Sequence, residues 1–293
     1  MKVLGTLLVA AAIALLALSL AAQEGLPDSY LQRLATIDRL QKLTSTDLVD
    51  LTSRAQSGVP DAQYELALAY ETGRLVPRDR ATAQHWMLKS AHQGYAAAET
   101  AMGSYYLENH HAGPIPNYAD ADRWLRMAAT QGDAEAQLWL GLGYKRGFFG
   151  GIDYQESLKW LRKSAAQGLP DAQVCLGQTY QYGEGVPKSN DRAAYWFKRA
   201  ADHLSDLSTF EAEVELVYMY SDGRLKGDDV DAYMWFVVVD SSVDPAIDPA
   251  TDDDLKEVAK RMTPGKIAEA QQRARNWINR HPRLHRLAAD LNR

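Results

Sequence analysis

The sequence predicts an all-α protein built from about five pairs of helices, because one pattern recurs along the chain at a nearly constant interval. Five tryptophans recur at intervals of 38, 36, 36 and 39 residues, and these are Trp86, Trp124, Trp160, Trp196 and Trp235. In a second register, five alanines are each followed by a tyrosine eight residues later, and these are Ala62, Ala98, Ala136, Ala172 and Ala212. Registers that recur together at this interval indicate helical repeats, in which each unit is stabilised by its neighbours.

The residues of one unit predict two helices joined by a glycine-containing loop. In the fourth unit, Ala172, Gly177 and Tyr180 fall on one helical face, and its small residues allow a neighbouring helix to come close. Gly183 is expected to end this helix, because glycine adopts the left-handed backbone without a steric penalty. Either polar residue of the pair 190–191 is expected to cap the next helix. The buried stripe of that second helix is expected to comprise Ala193, Trp196, Phe197 and Ala200.

The full pattern is Ala-x3-Leu-Gly-x2-Tyr-x2-Gly-x-Gly-Val, followed by Ala-x2-Trp-x4-Ala-x2-Gly. It resembles the Sel-one-like repeat family, a relative of the tetratricopeptide repeat with a longer unit. The resemblance covers roughly residues 55–240. It implies a right-handed α-α superhelical solenoid of about five Sel-one-like repeats that binds other proteins or peptides. The chain is identified as an exported bacterial member of this family.

Both ends of such a solenoid need helical caps, because a terminal repeat would otherwise expose an apolar face. We expect the solenoid at residues 58–241, N-terminal capping helices at 23–57 and C-terminal capping helices at 242–293. The N-terminal caps begin with the amphipathic stretch PDSYLQRLATIDRLQKL. The stretch MTPGKIAEAQQRARNWI, within the C-terminal caps, resembles the tail that often follows bacterial members of the family.

Residues 1–22 have the pattern of a secretory signal peptide. Lys2 is followed by twenty uncharged residues that end in the small pair Ala21 and Ala22. We therefore expect a periplasmic or secreted protein. Because the apolar run is also long enough to cross a bilayer, the alternative is an uncleaved inner-membrane anchor that faces the periplasm. With Cys175 as its single cysteine, the chain cannot form an intramolecular disulfide.

Several classes of function are disfavoured by composition and motifs. The formal net charge of −6 and the lack of a basic stripe argue against nucleic-acid binding. The stretch 183–189 imitates a phosphate-binding loop, but Pro187 has no amide hydrogen to donate. Adjacent side chains at His110 and His111 diverge, and the aspartates of 244–254 lack the spacing of a calcium loop. We therefore predict no catalytic, cofactor-binding or metal-binding residues, and no cofactor.

The candidate protein-binding residues are large side chains of the first helix of several units. They stand at positions that turn away from the expected core, so they are expected to face the groove of the solenoid. Large apolar and aromatic side chains on such a surface are typical of recognition sites. These candidates are Tyr64, Leu68, Trp139, Leu142, Tyr182 and Tyr218. The alternative is that some of them pack between units.

Three functions follow from these expectations. The first is a non-enzymatic protein–protein interaction scaffold or adaptor of the bacterial cell envelope, which binds a peptide or helix of a partner in its concave groove. The second is an immunity protein that neutralises an effector of a secretion system, for which the acidic balance would suit a basic effector. The third, a β-lactam-binding or hydrolysing enzyme, is implied only by proposals for other family members that are rich in disulfides. Contact with a membrane is expected only through an uncleaved N-terminal segment.

Overall fold

The computed structural model describes residues 27–108, 117–203, 207–225, 229–240 and 250–280. In these ranges the chain forms fourteen α-helices and no strand. The helices are α1 Asp28–Lys42, α2 Ser45–Gln56, α3 Pro60–Thr72, α4 Arg80–Ala91, α5 Ala96–Glu108, α6 Tyr118–Thr130, α7 Ala134–Arg146, α8 Tyr154–Ala166, α9 Pro170–Tyr182, α10 Asn190–Ala201, α11 Leu207–Ser221, α12 Asp229–Asp240, α13 Ala250–Lys260 and α14 Pro264–Arg280. The signal-peptide prediction for residues 1–22 lies outside the described residues, as does the pair His110 and His111.

The chain divides into two compact units, residues 1–169 and 170–293. In the first unit, α3 packs on α4, α5 on α6 and α7 on α8, and each pair also packs on the next through α4–α5 and α6–α7. Helix α2 packs on α3. The predicted all-α solenoid of helix pairs is therefore confirmed, because each helix of the repeats packs mainly on its neighbours in sequence.

The second unit continues the same pattern with the pairs α9–α10 and α11–α12. Helices α13 and α14 both pack on α12. The ring centroids of Trp235 in α12 and Trp277 in α14 lie 5.6 Å apart, nearly edge to face. Both indoles are buried in one apolar cluster, together with Ala270 and Ala274 of α14. This unit thus ends in helices that cover the apolar side of its last repeat.

In the second, third and fourth repeats, a glycine of the first helix admits a large side chain of the second. A Cβ atom added to Gly141 would lie 2.6 Å from Leu161 Cγ, and one added to Gly177 would lie 2.5 Å from Phe197 Cε1. Each large residue directly follows a repeat tryptophan, so the sequence register fixes the contact. In the first repeat, Ala67 stands where the glycine is expected, and the flexible Met87 takes the place of the leucine or phenylalanine.

A row of partly buried amide hydrogen bonds joins the two ends of each repeat in the first unit. Gln93 Nε2 donates to Gln63 Oε1 at 2.7 Å, and Gln167 Nε2 donates to Gln137 Oε1 at 2.9 Å. Eight residues earlier in each case, the carbonyl of Ala55 accepts from Gln63 Nε2 at 3.0 Å, and the carbonyl of Ala129 accepts from Gln137 Nε2 at 3.1 Å. In the second repeat Glu99 replaces the acceptor glutamine, and Gln131 Nε2 donates to its Oε2 at 2.7 Å. The bonds between side chains fix the two helices of a repeat against each other, and the bonds to the carbonyls of Ala55 and Ala129 join a repeat to the helix that precedes it.

The helix ends follow the local sequence with one correction. Gly183 has φ of +77°, as expected for a residue that ends α9. Helix α10 is capped by Ser189, whose Oγ accepts from the amide of Arg192 at 3.3 Å, so the expectation of a cap at 190–191 is wrong. Asn190 Nδ2 instead donates to the carbonyl of Arg224 at 2.9 Å.

Candidate protein-interaction surfaces

The structure separates the six predicted interaction residues into a covered group and an open group. In the first unit, Tyr64 is 2% exposed, so the expectation that it lies open in a groove is wrong. Leu68 and Trp139 are partly buried against apolar clusters, and Leu142 is partly buried as well. In the second unit, Tyr182 and Tyr218 are 56% and 55% exposed. A role of these six residues in protein binding remains a prediction.

Tyr64 packs in an apolar cluster of the first two repeats with Met87 and Met102, and Arg33 of α1 lies close enough to interact electrostatically with it. Helix α1 contacts α3 and α7, which are separated in sequence by a whole repeat. Arg39 of α1 pairs with Glu65 of α3, and Arg33 pairs with Glu135 of α7. Leu40 of α1 is buried in the apolar cluster of the first repeat. The N-terminal capping segment therefore does more than close the end of the stack, because its first helix contacts both the first and the third repeat.

Two further contacts place the N-terminal half of α1. The amide of Ala134 donates to Ser29 Oγ at 3.3 Å, and Gln32 Nε2 donates to the Tyr95 hydroxyl at 3.4 Å. The Tyr95 ring lies 5.4 Å from that of Tyr64, measured between centroids. The surface under α1 therefore combines carboxylates with tyrosines. We call it the acidic–aromatic surface, and it comprises Tyr64, Glu65, Tyr95, Asp133 and Glu135.

Burial shifts the ionisation of this surface. It raises the pKa of the Tyr64 hydroxyl above its ordinary value, so the phenol remains neutral at physiological pH. Burial also raises the pKa of the Asp133 carboxyl, although the carboxylate accepts a hydrogen bond from the amide of Ala136 at 2.8 Å. At Arg33, burial acts to lower the pKa, but the attraction of Glu135 outweighs it and the net shift is upward. The arginine is therefore held as a cation by the surface that it contacts.

The open group lies on the first helices of the second unit. Gln178 Nε2 donates to Glu211 Oε1 at 2.7 Å, and Gln181 Nε2 donates to Glu215 Oε2 at 2.9 Å, so these bonds join α9 to α11 side by side. Tyr182 lies four residues after Gln178 on α9, and Tyr218 lies seven after Glu211 on α11, so the tyrosines continue the bonded faces. We call this the tyrosine surface, and it comprises Gln178, Tyr182, Glu211, Glu215 and Tyr218.

The described residues contain neither a metal-binding cluster nor a membrane-spanning helix. Within residues 27–108, 117–203, 207–225, 229–240 and 250–280, no group of three or more His, Cys, Asp or Glu side chains is arranged to hold a metal ion. None of the helices described in those ranges combines the length and apolar character that a membrane span requires.

The buried amide row and the position of α1 were missed from the sequence. A glutamine stands seven residues after Trp86, Trp124 and Trp160. A glutamine or glutamate directly follows each of the five alanines that have a tyrosine eight residues later. This double recurrence could have revealed the row. No comparable signal exists for α1, because its partners lie as far as 105 residues away.

The helix pairs and their spacing define a class of α-solenoid repeat protein. The family model of the Sel1 repeat matches five segments, residues 60–95, 96–133, 134–169, 170–203 and 211–237. These segments cover more than half of the chain, and each begins at or near the first helix of a pair. The chain therefore belongs to the Sel1 (Sel-one-like) repeat family, whose members are typically protein–protein interaction scaffolds.

Solved structures and a sequence relative agree with this assignment. Similar folds are found in c5321, a protective antigen of uropathogenic Escherichia coli strains, and in a Sel1 repeat protein from Oxalobacter formigenes. The first has a TM-score of 0.65 at 28% identity and covers 80% of this chain and 48% of its own. The second has a TM-score of 0.57 at 25% identity and covers 76% and 87%. An uncharacterised Neisseria meningitidis serogroup B protein is 28% identical over 157 residues, 54% of this chain and 32% of its own. The chain thus spans about half of the antigen and about a third of the Neisseria protein.

Proposed function

We propose that this protein is a non-enzymatic interaction scaffold of the bacterial cell envelope. The observation that carries the proposal is the tyrosine surface. Tyr182 and Tyr218 are more than half exposed on adjacent first helices, where hydrogen bonds between α9 and α11 hold the backbone in place. Exposed tyrosines on a rigid support contribute binding energy at a small cost in conformational entropy.

The partner that suits this surface is a peptide or helix with basic residues. Glu211 and Glu215 stand one turn apart, on the same face as Tyr218, so a cation beside an apolar or aromatic anchor would find both kinds of contact. Both tyrosines lie toward the C-terminal ends of their helices, beyond the bonded residues, and each offers a ring face and a hydroxyl. The surface therefore favours a short amphipathic segment of another envelope protein.

The test replaces the two tyrosines and uses a third as a matched control. Tyr195 is 54% exposed in the same unit, but it lies on the second helix α10, outside the tyrosine surface. A photo-reactive phenylalanine analogue at position 182 is expected to crosslink a specific partner in living cells, identified by mass spectrometry. The Y182A/Y218A variant is expected to lose co-purification of that partner, whereas Y195A keeps it. Equal recovery by both variants would reject the tyrosine surface as the docking site.

An immunity function is the second candidate, because the glutamates of the tyrosine surface would suit a basic effector. The formal net charge of −6 acts in the same direction over longer distances. Under this alternative, a gene beside that of this protein encodes a toxic effector, and cells that produce the effector survive only with the wild-type protein. Survival of such cells without it would rule out immunity and leave the scaffold.

A further inference from the structure

Helix α1 occupies the acidic–aromatic surface of the first unit. We propose that the acidic–aromatic surface of the first unit is a binding site for a basic helix, that α1 fills it in cis, and that a partner helix of similar chemistry displaces α1. This inference concerns the first unit alone and does not rest on the tyrosine surface or on the proposed function of the second unit.

The contacts of α1 define what the surface recognises. Ser29, Arg33, Thr36 and Leu40 recur at intervals of four, three and four residues, so they form one stripe along the helix. Three of the four meet the repeats: Ser29 at the start of α7, Arg33 at Glu135 and Leu40 in the core of the first repeat. Arg39, next to this stripe, pairs with Glu65. The recognised helix therefore carries two cations six residues apart and an aliphatic side chain near its C-terminal end.

The way in which α1 is held allows it to leave. The Arg33 and Arg39 side chains are 45% and 48% exposed, and ion pairs so close to water stabilise only weakly. The buried Thr36 donates its hydroxyl hydrogen to the carbonyl of Gln32 within α1, at 2.9 Å, so this hydrogen bond is kept when the helix departs. The bound state therefore depends on a small number of contacts that a competing helix can replace.

The junction after α1 separates it from the rest of the fold. Thr44 Oγ1 accepts from the amide of Asp47, and the Asp47 carboxylate accepts from the amide of Thr44 at 2.7 Å, so α2 has its own complete capping box. Helix α2 then packs on α3 and continues the stack of helices. Leu43, between α1 and the cap, has an extended backbone. Departure of α1 thus leaves the start of α2 and the repeat stack intact.

The surface left behind suits a second basic helix because its acidic groups come from two separate repeats. Glu65 and Glu135 are fixed on α3 and α7, and the contacting rings of Tyr64 and Tyr95 belong to the same surface. A helix must have the correct charge spacing to meet both carboxylates at once, which gives selectivity as well as attraction.

The first experiment weakens α1 in the full chain and offers the helix back in trans. The probe is a fluorescein-labelled peptide with the sequence of residues 27–43, and binding is followed by fluorescence anisotropy. We expect R33E/R39E to bind the peptide about tenfold or more tightly than the wild type, because in the wild type α1 competes for the site. Adding E65Q/E135Q to that variant should abolish binding.

Matched controls separate the surface from general charge effects. R80E/R123E makes the same charge change at exposed positions of α4 and α6, and it should bind the peptide as weakly as the wild type. A peptide of the same composition in scrambled order should not bind R33E/R39E. Failure of R33E/R39E to bind the native peptide, or equal binding of the scrambled one, would overturn the proposal.

A second measurement needs no variant and therefore does not depend on correct folding of the mutants. Hydrogen exchange of the wild type in native buffer should show α1 amides exchanging through local opening, at least about tenfold faster than those of α3 and α7. Exchange of α1 at the same rate as α3 and α7 contradicts displacement. A wild-type dimer that R33E/R39E abolishes would identify a second copy as the donor of the helix and would overturn occupancy in cis.

Discussion

Glu99 occupies a position at which the first and third repeats carry glutamine. Gln63 and Gln137 each donate to the carbonyl eight residues earlier, but an ionised glutamate has no hydrogen to give to the equivalent carbonyl of Ala91. The side chain is fully buried, and Glu99 Oε1 has no hydrogen-bond partner in the described part of the chain. Burial raises the pKa of this carboxyl above its ordinary value. The second repeat thus lacks one hydrogen bond that the amide row has in the first and third repeats.

This missing hydrogen bond predicts a pH-dependent gain in stability when Glu99 is replaced by glutamine. Because the pKa of Glu99 is raised in the folded state, its contribution is favourable below the unfolded pKa and is lost as the pH rises through the folded pKa. We expect E99Q to stabilise the protein by about 1–2 kcal/mol at pH 7, with a smaller gain near pH 4, because glutamine stays neutral and can donate. Urea denaturation midpoints at the two pH values measure both effects.

The converse substitution provides the control. Q137E places a carboxyl at the equivalent position of the third repeat, where it removes the donor to the carbonyl of Ala129. It should lower stability more at pH 7 than at pH 4. If neither E99Q nor Q137E changes the pH dependence of the midpoint, the buried amide row has no part in it.

At the scale of the helix pair, packing depends on the match between a glycine and the large residue opposite. The sequence predicted this use of small residues, because glycine recurs five residues after the repeat alanine in three of the repeats. It did not reveal which side chain fills the space, since that choice depends on the rotation of the second helix. The register of Leu161 and Phe197, directly after the repeat tryptophans, supplies the answer.

The close contact predicts the effect of one added methyl group. G141A should destabilise the protein by about 1–3 kcal/mol, because the new Cβ would meet Leu161 Cγ at 2.6 Å and its backbone nitrogen at 3.3 Å. The measurement is the change in the chemical denaturation midpoint. G265A, where the nearest atom would be 4.0 Å away, should be neutral or slightly stabilising. Recovery in G141A/L161M is expected, since this pair reproduces Ala67 and Met87; no loss in G141A itself would disprove the packing argument.

Helix α1 shows where sequence information ended at this scale. Its amphipathic pattern predicted a helix in the correct place, because periodicity is a local property. The partner of its buried stripe could not be predicted, since any apolar face near the chain terminus would satisfy the same pattern. The Arg33–Glu135 and Arg39–Glu65 pairs join residues far apart in sequence, and only the assembled repeats bring them together.

At the scale of the molecule, fold class and family followed from the sequence, whereas the accessible surfaces did not. A repeat that cannot bury its own apolar stripe must stack on a neighbour, so recurrence alone determines the architecture. Exposure depends on which segment covers which face. That difference explains why Tyr64 and Tyr218, which both stand at positions expected to turn away from the core, are respectively buried and open.

The cellular location proposed for the molecule has a direct test. We expect the mature protein to begin near residue 23, because residues 1–22 have the composition of a signal peptide. N-terminal sequencing of protein purified from the periplasmic fraction measures this. Recovery of an intact Met1 in the inner-membrane fraction would favour the anchored form, and recovery of intact protein from the cytoplasm would refute export.

The amide row also limits how the length of such a chain can vary. Gln93 and Gln63 are 30 residues apart, as are Gln167 and Gln137, whereas Gln131 and Glu99 are 32 apart and still bonded. The two additional residues of the second repeat fall between Tyr106 and Trp124, hence between its two helices. In the first unit a change of length is therefore accommodated in the loop between the two helices of a hairpin, because the amide partners lie at the opposite end of the hairpin from that loop. The turns bridged by the Gln63–Ala55 and Gln137–Ala129 bonds keep the same eight-residue spacing.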